Sequence, residues 1–287
     1  MEKRSLIGVD VGGTKIHIAR IEHDKVVAQQ RIPTAATRSR DEIVQDLING
    51  ISDLLTPDVV GIGIGVPGLV DMETGTIRNV SNIPAWKDLP IREKITERID
   101  LPVFVGNDAN CFALGELYFG KAKGYYNIVG LALGTGVGAG VIINGRLYPG
   151  NSALAGEFGG IKYLDSEYEN YCSGKFFLDK YHIDAKVMAE RAANKESVAL
   201  AAFSEFGNHV GHLIQTILYS VGPEVIIIGG SLTNAWSFFE EGMQQCLKLF
   251  PHTQALESTL IAISGNPDIP VLGAAALVLS SNNGVQR

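Results

Sequence analysis

Cysteine is scarce in this chain. The three present, Cys111, Cys172 and Cys246, are odd in number and far apart. That spacing excludes a disulfide framework, offers no thiolate set for a metal, and fits a reduced, cytoplasmic setting. Long apolar runs are missing too. None approaches the roughly 20 residues that cross a bilayer, and Met1-Glu2-Lys3-Arg4 leads into a strand-like stretch rather than a signal-peptide segment. No membrane partner is expected. Nor is there an excess of basic residues: 24 Lys and Arg against 31 Asp and Glu leave a net charge of −7. That balance argues against a nucleic-acid partner held through phosphate neutralisation. With 46% hydrophobic and 19% charged residues, the chain is too apolar for disorder. Glycine, by contrast, is plentiful, at 33 of 287 residues. The tight turns it permits are those that phosphate-binding loops require.

The pattern of elements is α/β. Residues 5–9 are a short apolar strand ending at Asp10 and a Gly-Gly pair; residues 16–21 and 25–30 read as two more strands. Apolar residues recur at helical spacing through 41–55 (Ile43, Leu47, Ile51, Leu54), with Asp41 as the expected N-cap and Pro57 as the stop. Strands are predicted at 59–66 and 103–105, then a helix over 109–119. The second half reads as a strand at 127–133, a long helix at 197–221, a buried strand at 225–228, a helix at 235–249, a strand at 260–263 and a final apolar helix at 271–279. There is also a weak internal repeat. Strand, glycine turn, strand at 6–21 recurs at 129–144, and a shift of 122 places Gly134 on Gly12. Two such hairpins suggest a duplicated architecture with a cleft between lobes.

Three segments carry candidate chemistry. Asp10-Val11-Gly12-Gly13-Thr14-Lys15 combines a turn open to phosphate oxygens with a hydroxyl, a cation and a carboxylate suited to Mg²⁺ or its waters. A plain hairpin turn is the alternative. Gly134-Thr135-Gly136-Val137-Gly138-Ala139-Gly140 continues into a strand, not into the helix a dinucleotide fingerprint needs, so it reads as a phosphate clamp or a bulged hairpin. Asn107-Asp108-Ala109-Asn110 follows a strand and opens a helix. Its polar residues either cap that helix or place Asp108 as a general base. Trp86 is a core residue or an apolar platform for a ligand.

Taken in order, these segments with Gly65-Val66-Pro67-Gly68, Asn82-Ile83-Pro84-Ala85-Trp86 and Ala155-Gly156-Glu157 resemble the ROK proteins, bacterial sugar kinases and sugar-responsive repressors. The resemblance runs from about residue 5 to 280. It implies a two-lobed actin-like ATPase (ribonuclease H-like) fold with a central cleft. Residues 1–118 with about 271–287 would form the smaller lobe, and 119–270 the larger. It implies an enzyme that passes the γ-phosphoryl group of ATP to a sugar 6-hydroxyl, with Asp108 as the base. Gly68, Asn82, Asn107, Glu157 and Glu169 would meet the sugar. Asp10, Gly12, Gly13, Thr14, Lys15, Gly134, Thr135, Gly136, Gly229 and Gly230 would meet ATP. Asp10 would hold Mg²⁺ through water. A homodimer through the larger lobe is implied as well.

One departure stands out. Family members usually carry Gly-His after the Glu-x pair and then a cysteine-rich zinc segment. Here Glu157 is followed by Phe158-Gly159-Gly160, and a shorter stretch with one cysteine and no histidine leads to Glu169. No zinc is therefore expected. Cys172 reads as a packing residue, and Phe158, Ile161, Tyr163 and Tyr171 as the apolar groups that hold the segment. Glucose and N-acetylmannosamine are the leading substrates. Repressors of the family place a helix-turn-helix ahead of the first glycine loop, and with Asp10 at position 10 none is expected. A catalytically inactive sugar sensor is the alternative function.

Overall fold

The computed structural model describes residues 4–80, 82–151 and 153–282. The first elements are β1 (Ser5–Val11), β2 (Lys15–Glu22), β3 (Lys25–Pro33), α1 (Arg40–Asp53), β4 (Val59–Val66), β5 (Leu69–Asp71), β6 (Thr76–Asn79), α2 (Ile91–Thr96), β7 (Val103–Asn107) and α3 (Asp108–Phe119). There follow β8 (Ile128–Leu133), β9 (Val137–Ile143), β10 (Arg146–Leu147), β11 (Lys162–Tyr163), β12 (Ser166–Glu167), α4 (Tyr168–Cys172), α5 (Gly174–Tyr181), α6 (Ala185–Ala193) and α7 (Ser197–Ser220). The chain closes with β13 (Val225–Gly229), α8 (Trp236–Leu247), α9 (Thr253–Ser258), β14 (Leu260–Ile263) and α10 (Ile269–Asn282).

Two five-stranded sheets organise these elements, with orders β3-β2-β1-β4-β7 and β10-β9-β8-β13-β14. In each, the first strand of the set pairs antiparallel with the second and parallel with the fourth. The hairpin turns fall at matching places, closed by Val11↔Ile16 and by Leu133↔Val137. The repeat at a shift of 122 is therefore a repeat of sheet topology, and the class is α/β as the sequence indicates.

The chain divides into two compact units, one of Met1–Gly124, Gly145–Ala155 and Gly265–Arg287, the other of Tyr125–Asn144 and Gly156–Ser264. Residues 145–155, read from sequence as part of the larger lobe, thus fall in the first unit. There Pro149, Gly150 and Asn151 line a cavity of about 450 Å³ with Leu69, Asp71 and Arg78.

In the first unit, α1 buries Ile43, Val44, Leu47, Ile48 and Ile51. Its N-cap is Ser39, not Asp41. Ser39 and Glu42 form a reciprocal capping box, with Ser39 N–H donating to Glu42 Oε2 at 3.1 Å. A capping box needs its acid three residues after the hydroxyl, and only Ser39 has one there. The glycines of β1 and β4 have a packing cause. A Cβ on Gly8 would lie 2.1 Å from Val271 O, and one on Gly63 1.8 Å from Ala274 O. Only glycine lets α10 lie that close to the sheet. Gly273 of α10 is pressed in the same way against Cys111 O of α3. The sheet, α10 and α3 therefore form one stack, which fixes where α3 begins. In the second unit, β8, β9 and β13 pack against α7 and α8 through Phe203, Phe206, Phe239 and the apolar strand residues.

Among the described residues, no helix is long and apolar enough to cross a membrane.

Candidate active site

In the first unit, Asp10 stands near the end of β1, where the chain turns. Gly12 N–H donates to Lys15 O at 2.9 Å, closing the turn. Thr34, fully buried, staples it from β3's end: its Oγ1 donates to Gly12 O at 2.6 Å and its N–H to Thr14 O at 3.0 Å. Sequence reasoning missed Thr34, because nothing local marks it. Gly13 faces Asn82 so closely that a Cβ would lie 2.8 Å from the Asn82 Cβ. The first glycine turn and an expected sugar ligand are thus neighbours.

Asn107 uses its amide twice. Oδ1 accepts from Ala109 N and Asn110 N, at 2.9 and 3.3 Å, capping α3. Nδ2 donates to Gly68 O at 3.0 Å. Gly68 has φ +99°, and a Cβ there would meet Asn79 O at 2.3 Å, so this turn admits only glycine. One amide therefore both caps α3 and ties its start to the Gly68 turn, and an amide nitrogen carries a second hydrogen beyond the one given to Gly68 O. Asp108 opens α3, exposed, with Oδ1 accepting from Ala109 N at 2.9 Å. Burial, and then the charge of Asp108, push the Asp10 carboxyl up to about 6 against the pull of Lys15. The buried Cys111 thiol is pushed well up by burial and then by Asp108 and Asp10. The two aspartates thus share one electrostatic site. Carboxylate oxygens are the ligands a hard divalent cation takes; among the described residues no group of three or more His, Cys, Asp or Glu side chains is gathered as a metal site. Trp86 is fully buried and belongs to the core.

The second unit collects the other candidates. Gly134 N–H donates to Gly136 O at 3.0 Å, and Gly134 O accepts from Gly174 N at 2.8 Å. Thr135 is exposed at the tip. After β13, Gly229 leads to Gly230 at φ +88°, where a Cβ would lie 2.2 Å from Leu133 O. The 229–231 turn therefore packs against the end of β8. Glu169 Oε2 accepts from Val137 N at 3.1 Å, and its Oε1 pairs with Lys175 Nζ at 2.5 Å. Burial, and then Glu169, raise the Glu157 carboxyl above its ordinary range. Glu157, Glu169 and the second glycine turn thus stand together, with Gly174 and Lys175, which sequence reasoning did not single out.

The shortened segment after Glu157 is held by aromatic packing. Tyr163 stacks on Tyr168 with centroids 4.3 Å apart, and Tyr171 meets Tyr163 edge-on at 5.3 Å. Tyr163 OH shares a 3.1 Å hydrogen bond with His209 Nδ1, and Tyr168 OH one of 2.7 Å with Thr216 Oγ1. Phe158 and Cys172 are buried as expected. Ile161 is not: it is 39% exposed, and Tyr168 takes the inward place. The short β11–β12 hairpin turns Lys162 outward and Tyr163 toward α7, and Ile161 lies just before it.

The sequence profile of the ROK family matches residues 6–281. The glucokinase of Halalkalibacterium halodurans is 29% identical, over 100% of this chain and 98% of its own. The N-acetyl-D-glucosamine kinase of Histophilus somni is 31% identical, over 95% of this chain and 98% of its own. Among solved structures, a ROK family glucokinase from Streptomyces griseus in complex with glucose and AMPPNP is 26% identical. It superposes with a TM-score of 0.77, over 95% of this chain and 98% of that one. The α/β fold with two sheets of one topology is thus the actin-like ATPase fold. With the profile match extending from β1 to α10, and relatives aligned over nearly their full length, the chain belongs to the ROK family.

Proposed function

We propose that this chain transfers the γ-phosphoryl group of ATP to the 6-hydroxyl of a hexose or N-acylhexosamine, with glucose and N-acetylmannosamine the leading substrates. It is an ATP-dependent sugar kinase. The observation that carries the finer reading is the pairing of Asp108, exposed at the start of α3, with Asp10 beside the first glycine turn. Phosphoryl transfer asks little covalent work of a protein. It needs one base, a positioned acceptor and charge stabilisation around the transferred group.

In this reading Asp108 accepts the proton of the attacking hydroxyl. Asn82, Asn107, Gly68, Glu157 and Glu169 orient the sugar, since amides and carboxylates pair with adjacent hydroxyls. Gly12, Gly13, Thr14, Lys15, Gly134, Thr135 and Gly136 are the phosphate ligands of this reading, with Gly229 and Gly230 its nucleoside ligands. Asp10 would hold Mg²⁺, directly or through water, and the ion would neutralise charge on the phosphates. Zinc has no role in this reading, because aromatic packing already holds the 158–172 segment. The reading also carries a cytoplasmic location and a homodimer, the latter lost if light scattering shows only monomer at micromolar concentration. Relatives named for glucose and for N-acetyl-D-glucosamine support both acceptor classes. A coupled assay of ADP release over a panel of hexoses and N-acylhexosamines tests the reading. Turnover with one of them is expected, with the product phosphorylated at the 6-position. Absence of sugar-stimulated ADP release across the panel would refute it.

A further inference from the structure

Lys175 has no part in the roles given so far, yet its surroundings are specific. It is the second residue of α5 and follows Gly174, whose N–H donates to Gly134 O at 2.8 Å. Its Nζ lies 2.5 Å from Glu169 Oε1. Glu169 Oε2 accepts the Val137 N–H at 3.1 Å, and the same oxygen would lie 2.7 Å from a Cβ on Gly136. One carboxylate therefore fixes a lysine to the turn 134–137, and the backbone of α5 fixes the same turn from its other end.

Fold stability does not account for this arrangement. The Lys175 side chain is 43% exposed, and an ion pair so open to water contributes little. What the arrangement does is place a cation. An ammonium has three N–H donors, and one is spent on Glu169. Beside a glycine turn whose backbone can approach phosphate, a point charge adds to the same anion site.

We infer that Lys175 is a phosphate-binding residue of this chain, positioned against the second glycine turn by Glu169, and that it meets the polyphosphate of the nucleotide rather than the nucleoside. The inference rests on the kinase reading above. Glu169 then serves two substrates. A carboxylate offers about four lone-pair sites, enough for Val137 N–H and Lys175 with room for a sugar hydroxyl. Nucleotide phosphate drawing on Lys175 would loosen its hold on Glu169, and the effect would pass to the sugar side of the same carboxylate.

The test is calorimetric titration of wild type, Lys175→Met and Lys175→Arg with a non-hydrolysable ATP analogue, ADP and adenosine, in Mg²⁺, with sugar affinity measured alongside. Lys175→Met keeps the aliphatic stem, and urea unfolding should show wild-type stability. It should weaken the ATP analogue about tenfold, the scale of one charge-assisted hydrogen bond in a half-exposed site. Adenosine affinity should stay unchanged, and Lys175→Arg should recover most of the loss. Equal weakening of the analogue and adenosine would overturn the inference, as would unchanged analogue binding or a loss confined to sugar. If wild type phosphorylates sugar and Lys175→Met binds the analogue equally well, the inference fails alone. If wild type binds no nucleotide, the kinase reading falls and the inference falls with it.

Discussion

Asp10→Asn should make the metal-free protein more stable while disabling it. Burial and the Asp108 charge raise the Asp10 carboxyl from 3.8 to about 6. The folded state thus holds this proton more tightly than the unfolded chain does. Between pH 3.8 and 6 the folded protein carries more bound protons, so stability falls as pH rises through that window. Below it the term vanishes; above it the cost is complete. At about 1.4 kcal/mol per tenfold, the charged side chain costs roughly 3 kcal/mol at pH 7.5 and about half that at pH 5. Asparagine has the same shape and no charge to desolvate. The variant should therefore gain about 2–3 kcal/mol at pH 7.5, and the gain should halve by pH 5. Urea unfolding in a chelator measures it. Trp86, fully buried in the first unit's core, reports the transition in a Trp236→Phe background. An Asp10→Asn protein no more stable than wild type at pH 7.5, or a gain that ignores pH, would refute the argument. With the gain observed, the carboxylate is a structural debit retained for what it binds.

Asp108→Asn should fold and bind sugar normally but lower kcat by about 10²- to 10⁴-fold, the usual scale for a lost general base; near-wild-type turnover would remove Asp108 from that role. Gly12→Val should weaken nucleotide binding much more than sugar binding, since its branched side chain crowds the turn read as meeting phosphate, where a Cβ lies 3.0 Å from Lys15 O; calorimetry showing equal loss of both would count against a nucleotide role. Gly230→Ala must accommodate a Cβ 2.2 Å from Leu133 O at φ +88°, and should lose about 1–3 kcal/mol, read by urea unfolding. Tyr163→Ala removes the stack on Tyr168 and the bond to His209. It should cost about 2–4 kcal/mol and speed hydrogen exchange selectively over 158–172.

Much of this protein is legible in local sequence. A strand that ends in Asp10-Val11-Gly12-Gly13 must turn there, whatever surrounds it, because glycine removes the steric bar to the turn. Helical spacing in α1 shows its buried face, and the apolar run at 225–228 has no reading except a core strand. The ordered set of short motifs was enough to name the family, since glycine turns and polar residues in one fixed order over most of a chain are specific together though each is weak alone.

Other features were decided only by tertiary structure. Asn107 reaches Gly68 O across 39 residues, Thr34 staples the Gly12–Lys15 turn across 22, and Glu169 grips Val137 across 32. No window of periodicity contains such pairs; strand order brings them together. The same holds for Gly8 and Gly63, whose missing side chains make sense only once α10 lies across β1 and β4. Ile161 and Tyr168 show the limit most plainly. Both are apolar enough to be packing candidates by composition, yet a two-stranded hairpin and the position of α7 leave one in water and stack the other on Tyr163. Hydrophobicity says that a residue gains from burial, but only the path of the chain determines which residue finds a neighbour to bury it.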